Sequence, residues 1–266
     1  MNIKIEEIAG LRVYHAIPDV QMSALPLVFT TGVWVKSEAL MAFQKALAER
    51  GYESYVLTFC GHRNGVPVSD LGKITIGDYA EDIEILVNTI GKPVILAPWS
   101  MSVIPASKVA KCNHLVKGFI SMTSAPPRGV TLSIGTMALM PKYLWKMLSG
   151  QAFMPSKTDA EKWMFNGISG KRLEECLDLL CPDSGTVCRE IASWKHSFHP
   201  LPCPTLVIGA KYDKFTPNQR TVAEKFGTKD YEEVPCCHAL VCDENYMSVV
   251  AVIDAWVSKK FRSVEE

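Results

Sequence analysis

Short apolar runs of strand character alternate along this chain with stretches whose apolar residues recur every three or four positions. That alternation limits the fold to an α/β class, with a mostly parallel sheet covered by helices on both faces. Strands are expected at Leu11–His15, Leu25–Thr30, Ser54–Phe59, Val94–Ala97, Gly118–Met122, Thr205–Gly209 and Tyr231–Val234. Between them, Tyr79, Ile83, Leu86, Val87 and Ile90 form one helical stripe. Tyr246, Val249, Val250, Ile253, Trp256 and Val257 form another near the end. Ser37 is the expected N-cap of a helix that buries Leu40, Phe43 and Leu47.

The alternation stops between residues 124 and 199. This stretch reads as three or four short helices punctuated by Pro127, Gly135, Pro141, Gly150, Pro155, Gly167, Gly170 and Pro182. The expected organisation is therefore a core of residues 1–123 and 200–266 with a helical cap inserted at 124–199. Such an insertion sits over the C-terminal edge of the sheet, where open α/β folds bind ligands. Met137, Met140, Met147, Met154 and Met164 fall within it.

Pro98-Trp99-Ser100-Met101-Ser102 follows the buried strand ending at Ala97 and leads into a helical stretch. A serine there stands on a sharp strand-to-helix turn, the geometry of a nucleophile elbow usually spelled G-x-S-x-G. Pro98 and Ser102 replace the flanking glycines, so a modified elbow is expected. Asp213 follows the strand Thr205–Gly209, and His238 follows the strand Tyr231–Val234.

With these pieces in place, the chain resembles the α/β-hydrolase superfamily, in particular its esterase and lipase-like serine hydrolases with a helical cap. Ala46–Tyr52 is similar to the end of the family's first helix, and Cys60-Gly61-His62-Arg63-Asn64-Gly65 to a loop usually spelled around R-G-H-G. Thr75–Asp82 is similar to the helix before the nucleophile strand. Pro204–Gly209 with Tyr212-Asp213 matches the strand that delivers the acid, and Val234–Ala239 the histidine loop. Thr31-Gly32 stands where the family usually has His-Gly.

The resemblance implies a triad in the chain order Ser100, Asp213, His238. A serine hydroxyl is a poor nucleophile at neutral pH unless a histidine takes its proton, and an aspartate fixes the histidine tautomer. The backbone N–H groups of Val33 and Met101 are the expected oxyanion donors. Trp34 and Trp99, with Met140, Met147, Met154 and Met164 of the insertion, are the expected substrate-binding residues. Large apolar side chains suit an acyl chain or an aromatic group. The expected activity is hydrolysis of a carboxylic ester, or a thioester or lactone, through an acyl-enzyme. A lyase or cofactor-independent oxygenase, or a non-enzymatic small-molecule receptor, are the alternatives the same fold allows.

The resemblance implies a small hydrophobic ester-type partner, and the remaining features argue against other classes. Lys plus Arg and Asp plus Glu both number 28, which gives no basic excess for nucleic acid. No run approaches the roughly 18 apolar residues of a membrane span, and the N-terminus lacks the pattern of a signal peptide, so a cytoplasmic protein is expected. No Gly-x-Gly-x-x-Gly loop is present, and neither cofactor nor metal is expected. Nine cysteines without a repeating spacing read as reduced thiols that pack as small hydrophobes. A zinc site from Cys236, Cys237, His238 and Cys242 is disfavoured, because adjacent cysteines rarely both reach one ion.

Overall fold

The structure is a computed structural model that describes residues 2–63, 69–131 and 133–261. Eight strands are described: β1 (Asn2–Ile8), β2 (Leu11–Ile17), β3 (Leu27–Thr30), β4 (Ser54–Leu57), β5 (Val94–Pro98), β6 (Val116–Met122), β7 (Thr205–Ala210) and β8 (Tyr231–Val234). They form one sheet in the order β1-β2-β4-β3-β5-β6-β7-β8. Pairing is antiparallel from β1 to β2 and from β2 to β4, and parallel elsewhere. Every residue of β3, β4, β5 and β7 is buried. Helices cover both faces of a parallel sheet, so its central strands carry unbroken apolar runs rather than an alternation.

The seven expected strands are all present, with ends shifted by up to two residues. The eighth, β1, has no apolar run to announce it. Its isoleucines alternate with Lys4 and Glu6, and none of its residues is fully buried. An edge strand of that kind pairs on one side only and needs no two-sided apolar surface.

Helices α1 (Met41–Ala48), α2 (Ile76–Ile90), α3 (Val103–Cys112), α8 (Gln219–Phe226) and α9 (Tyr246–Phe261) belong to the alternating part of the chain. The expected stripes of α2 and α9 face the core, although Ile90 is only half-buried and Tyr246 packs at the margin. Ser37 does not cap α1. It opens a short 3-10 turn, and its buried hydroxyl donates to the Leu57 carbonyl while accepting from Thr58.

Four helices lie between β6 and β7: α4 (Ile134–Ser149), α5 (Lys157–Trp163), α6 (Gly170–Asp178) and α7 (Gly185–Ala192). Gly135 and Pro141 lie inside α4 rather than interrupting it. The segment between α6 and α7 is tied to the core by backbone pairing. Lys36 N–H donates to Leu179 at 3.0 Å, Cys181 N–H donates to Trp34 at 2.9 Å, and Val35 and Leu180 form an antiparallel bridge. Ser184 caps α7 and also donates to the Gly72 and Ile74 carbonyls. No helix among the described residues is long and apolar enough to cross a membrane.

Helix α2 starts with a reciprocal cap. The Thr75 hydroxyl accepts from the Asp78 N–H, and the Asp78 carboxylate accepts from the Thr75 N–H. Replacing such a cap by alanine costs about 1 kcal/mol. Thr75→Ala is expected to lower the urea midpoint by that equivalent without changing the slope, and an unchanged midpoint would show that the cap contributes nothing.

Candidate active site

Separated from β5 by Trp99 alone, Ser100 opens a 3-10 turn, Ser100–Ser102, that runs into α3. Its φ is +59°, in the left-handed region that costs a non-glycine residue about 1–3 kcal/mol. Hydrogen bonds around the turn hold this conformation. The buried Ser102 hydroxyl accepts from Trp99 N–H at 3.1 Å and from Thr30 Oγ1 at 2.8 Å. Its own proton faces the carbonyls of Trp99 at 2.9 Å and Thr30 at 3.2 Å. Trp99 N–H also reaches the Thr30 carbonyl, and Ala125 N–H donates to the Ser100 carbonyl. Ser102 thus stabilises the turn where glycine is usual, and the sharp geometry survives Pro98.

Gly32 closes the other side. A Cβ built there would lie 3.0 Å from Ser100 Cβ and 3.4 Å from Ser100 Oγ, so the loop approaches this closely only without a side chain.

His238 and Asp213 meet Ser100 from the ends of β8 and β7. Ser100 Oγ is 3.0 Å from His238 Nε2, and His238 Nδ1 is 3.0 Å from Asp213 Oδ2. All three residues are buried. Burial pushes the Asp213 carboxyl up. The positive charge His238 can carry and its hydrogen bond, with the backbone N–H groups of Thr216 and Phe215, outweigh burial and hold it below the usual carboxylate range. The Thr216 hydroxyl also donates to Asp213 Oδ2. An ionised Asp213 accepts from Nδ1, which leaves Nε2 to accept from Ser100. The His238 carbonyl accepts from Trp99 Nε1 and Thr123 Oγ1, each at 3.1 Å, so the ring is fixed from both ends of its residue.

Ser100 opens into an apolar cavity. Val33, Trp34, Met101, Phe215 and Thr216 line it from the sheet side. Thr136, Leu139, Met140, Tyr143 and Met147 of α4 line it from above, with Phe153 and, from α7, Cys188, Ile191 and Ala192. Of the expected substrate-binding residues, Trp34, Met140 and Met147 are therefore at the cavity. The other three are not. Trp99 is buried beneath the triad, with its indole N–H spent on His238. Met164 is buried in the core, and its carbonyl accepts from Ala239 N–H just after His238. Met154 is 43% exposed and lies outside the lining. Methionine type does not encode direction, and in these three the backbone sends the residue elsewhere. Phe153, Tyr143 and Phe215 went unread because each lies in a loop or on a helix without a distinguishing motif.

A second polar cluster lies beside the Gly32 loop and went unread in the sequence. Asp183, just before α7, is 3% exposed. Its Oδ1 accepts from Tyr79 Oη and from Ser184 N–H, both at 2.7 Å, and its Oδ2 accepts from Trp34 N–H at 3.1 Å. His62 Nε2 forms an ion pair with Oδ1 at 3.7 Å. Burial disfavours a charged His62, but the Asp183 carboxylate and the Cys181 thiol raise its pKa to about 10. Asp183 is held low, since His62, Tyr79 and Ser184 together outweigh its burial. The expected loop at Cys60–Gly65 falls partly on Asn64 and Gly65, outside the described residues. Among the described residues, no three His, Cys, Asp or Glu side chains group as metal ligands.

No protein-family model and no curated protein sequence matches the chain. Solved structures do. A thermophilic esterase from Thermogutta terrifontis superposes with a TM-score of 0.69 at 16% identity, covering 98% of this chain and 100% of that one. A soluble variant of the monoglyceride lipase from Saccharomyces cerevisiae gives 0.72 at 14% identity, covering 98% and 96%. The enol-lactonase from Burkholderia xenovorans gives 0.71 at 15% identity, covering 96% and 100%. The chain has the α/β-hydrolase fold.

The His62–Asp183 pair has a pH signature. A histidine whose folded pKa rises from 6.5 to about 10 stabilises the fold fully below pH 6.5 and loses that contribution as pH climbs towards 10. Between pH 6.5 and 9, denaturant stability is expected to fall more steeply in the parent than in His62→Gln. Parallel profiles for the two proteins would show that His62 is not charged in the fold.

Proposed function

We propose that this chain is a serine hydrolase that cleaves a carboxylic ester, or a thioester or lactone, bearing a hydrophobic acyl or aromatic group. The observation that carries this reading is the continuous chain from Asp213 through His238 to Ser100, with the hydroxyl opening into an apolar cavity. The esterase, lipase and lactonase among the superposed structures agree with it.

Chemistry follows from the geometry. Ser100 Oγ attacks the substrate carbonyl carbon as its proton passes to His238 Nε2. Asp213, accepting from Nδ1, stabilises the imidazolium that forms. The oxyanion develops towards the N–H groups of Val33 and Met101, the residues that flank the Gly32–Ser100 contact. Val33 N–H has no protein acceptor among the described residues. Collapse expels the leaving group with the proton from Nε2 and leaves an acyl chain on Ser100. Water then attacks with His238 again as base and restores the free hydroxyl. The core and the helices over it thereby divide the work. Residues 1–123 and 200–266 supply the reacting groups, and the insertion at 124–199 acts as the cap that shapes the acyl pocket. Thr31 in place of the family's histidine leaves the loop's glycine intact, so the donor geometry does not depend on that side chain.

Ser100→Ala is expected to abolish both turnover of a p-nitrophenyl ester and labelling by a fluorophosphonate, with unfolding unchanged. Asp213→Asn is expected to lower kcat by up to about 10⁴, because it presents the wrong histidine tautomer. Turnover at the parental rate in Ser100→Ala would exclude the acyl-enzyme.

The cavity separates the methionines. Met140→Ala and Met147→Ala are expected to shift kcat/KM among acyl chain lengths, by at most about 1–3 kcal/mol per methylene. Met154→Ala should leave the ranking unchanged. An unchanged ranking in both cavity variants would show that α4 does not read the acyl chain.

A further inference from the structure

Asp183 lies in the insertion, yet its carboxylate is bonded to the loop that carries Val33. We infer that Asp183 is a positioning residue that sets the oxyanion loop from the cap side, an inference that rests on the hydrolase reading above.

Three observations support it. First, Asp183 Oδ2 accepts the N–H of Trp34, the residue next to Val33. Trp34 has φ of +67°, so this bond holds a backbone conformation that a tryptophan does not favour. Second, the bond is one of a set. Cys181 N–H donates to the Trp34 carbonyl, and Lys36 N–H donates to Leu179, which fixes residues 34–36 on the segment ahead of Asp183. Third, the carboxylate is over-determined from behind. Tyr79 Oη and Ser184 N–H hold Oδ1, and His62 balances its charge, so the only freedom left to Oδ2 is the Trp34 bond.

The arrangement also reaches the cavity wall. Asp183 exchanges backbone hydrogen bonds with Phe153 at 2.9 and 3.0 Å, and the Phe153 ring packs on Trp34 with centroids 5.5 Å apart. One residue thereby registers the loop and the wall together. A carboxylate suits this place because it accepts on both oxygens. An asparagine has one acceptor oxygen. If that oxygen keeps Tyr79 and Ser184, an NH₂ faces the Trp34 N–H, donor against donor, and the loop is pushed away.

The test uses the full chain. Asp183→Asn is compared with the parent for kcat and KM on a p-nitrophenyl ester. Inhibition is measured with a trifluoromethyl ketone, which forms an oxyanion on Ser100, and with the matching methyl ketone, which binds without forming one. The expected result is a fall in kcat of about 10- to 100-fold with KM within about twofold, since losing an oxyanion donor outright costs about 10²–10³. The trifluoromethyl ketone should weaken by the same factor and the methyl ketone should not. If Asp183→Asn does not fold, Tyr79→Phe removes one of the groups that fix the carboxylate, and a smaller loss of the same pattern is expected. Parental kcat, or equal weakening of both ketones, would overturn the positioning role while leaving the hydrolase reading intact. A parent without Ser100-dependent turnover would overturn that reading and the inference with it.

Discussion

Gly32 packs directly against the Ser100 side chain just past the ends of β3 and β5, and the candidate site depends on that contact. Gly32 lies so near Ser100 that an added Cβ would fall 3.0 Å from the serine's own. Parallel pairing of β3 with β5 brings the two strand ends level, with Thr30 opposite Pro98. From there one chain turns into a loop and the other into a helix. Their closeness places Val33 and Met101, which follow Gly32 and Ser100, on the wall of one cavity. Ser102 and Thr30 lock the contact from below with buried hydroxyls, and no charged group is needed at that depth.

Charge enters from the sides. Asp213 and Asp183 are both buried carboxylates, and both are solvated mainly by backbone N–H and hydroxyl groups with a histidine at the far end. Burying a carboxylate costs several kcal/mol unless such donors replace water. With their donors in place, the two acids are fixed rather than merely tolerated. Asp213 faces the His238 ring, and Asp183 faces the backbone of Trp34. Losing either would leave aimed donors unpaired, a larger penalty than the net gain from any single bond.

The sheet was legible because its signal is local. Buried strands such as β3, β5 and β7 write themselves as continuous apolar runs, and seven of the eight described strands were readable. Edge strand β1 was not, because a half-exposed strand shares its alternation with any polar segment. Ser100, Asp213 and His238 were readable because each follows a strand end, and their order is set by topology. Asp183 and His62 were not. They lie far apart in the chain, and nothing in Cys181-Pro182-Asp183-Ser184 marks a carboxylate that will be buried. The methionines show the same limit: Met140 and Met147 reach the cavity, whereas Met154 and Met164 share their type but not their direction.

The helices described between β6 and β7 divide the candidate site in time as well as in space. Ser100 and the Gly32 loop precede them in the chain, and Asp213 and His238 follow them. During synthesis, β3, β4, β5 and β6 can pair and form the serine turn while β7 and β8 are still unmade, since domains organise from the N-terminus as the chain emerges. The Ser100 hydroxyl is then made well before its partner His238, which follows all four helices described between β6 and β7. Pairing of β7 with β6 closes a long loop, a slow kind of contact. A chain released early would keep the serine turn but would lack both Asp213 and His238. The order of synthesis therefore makes the hydrogen-bonded series Ser100–His238–Asp213 the last feature that this fold completes.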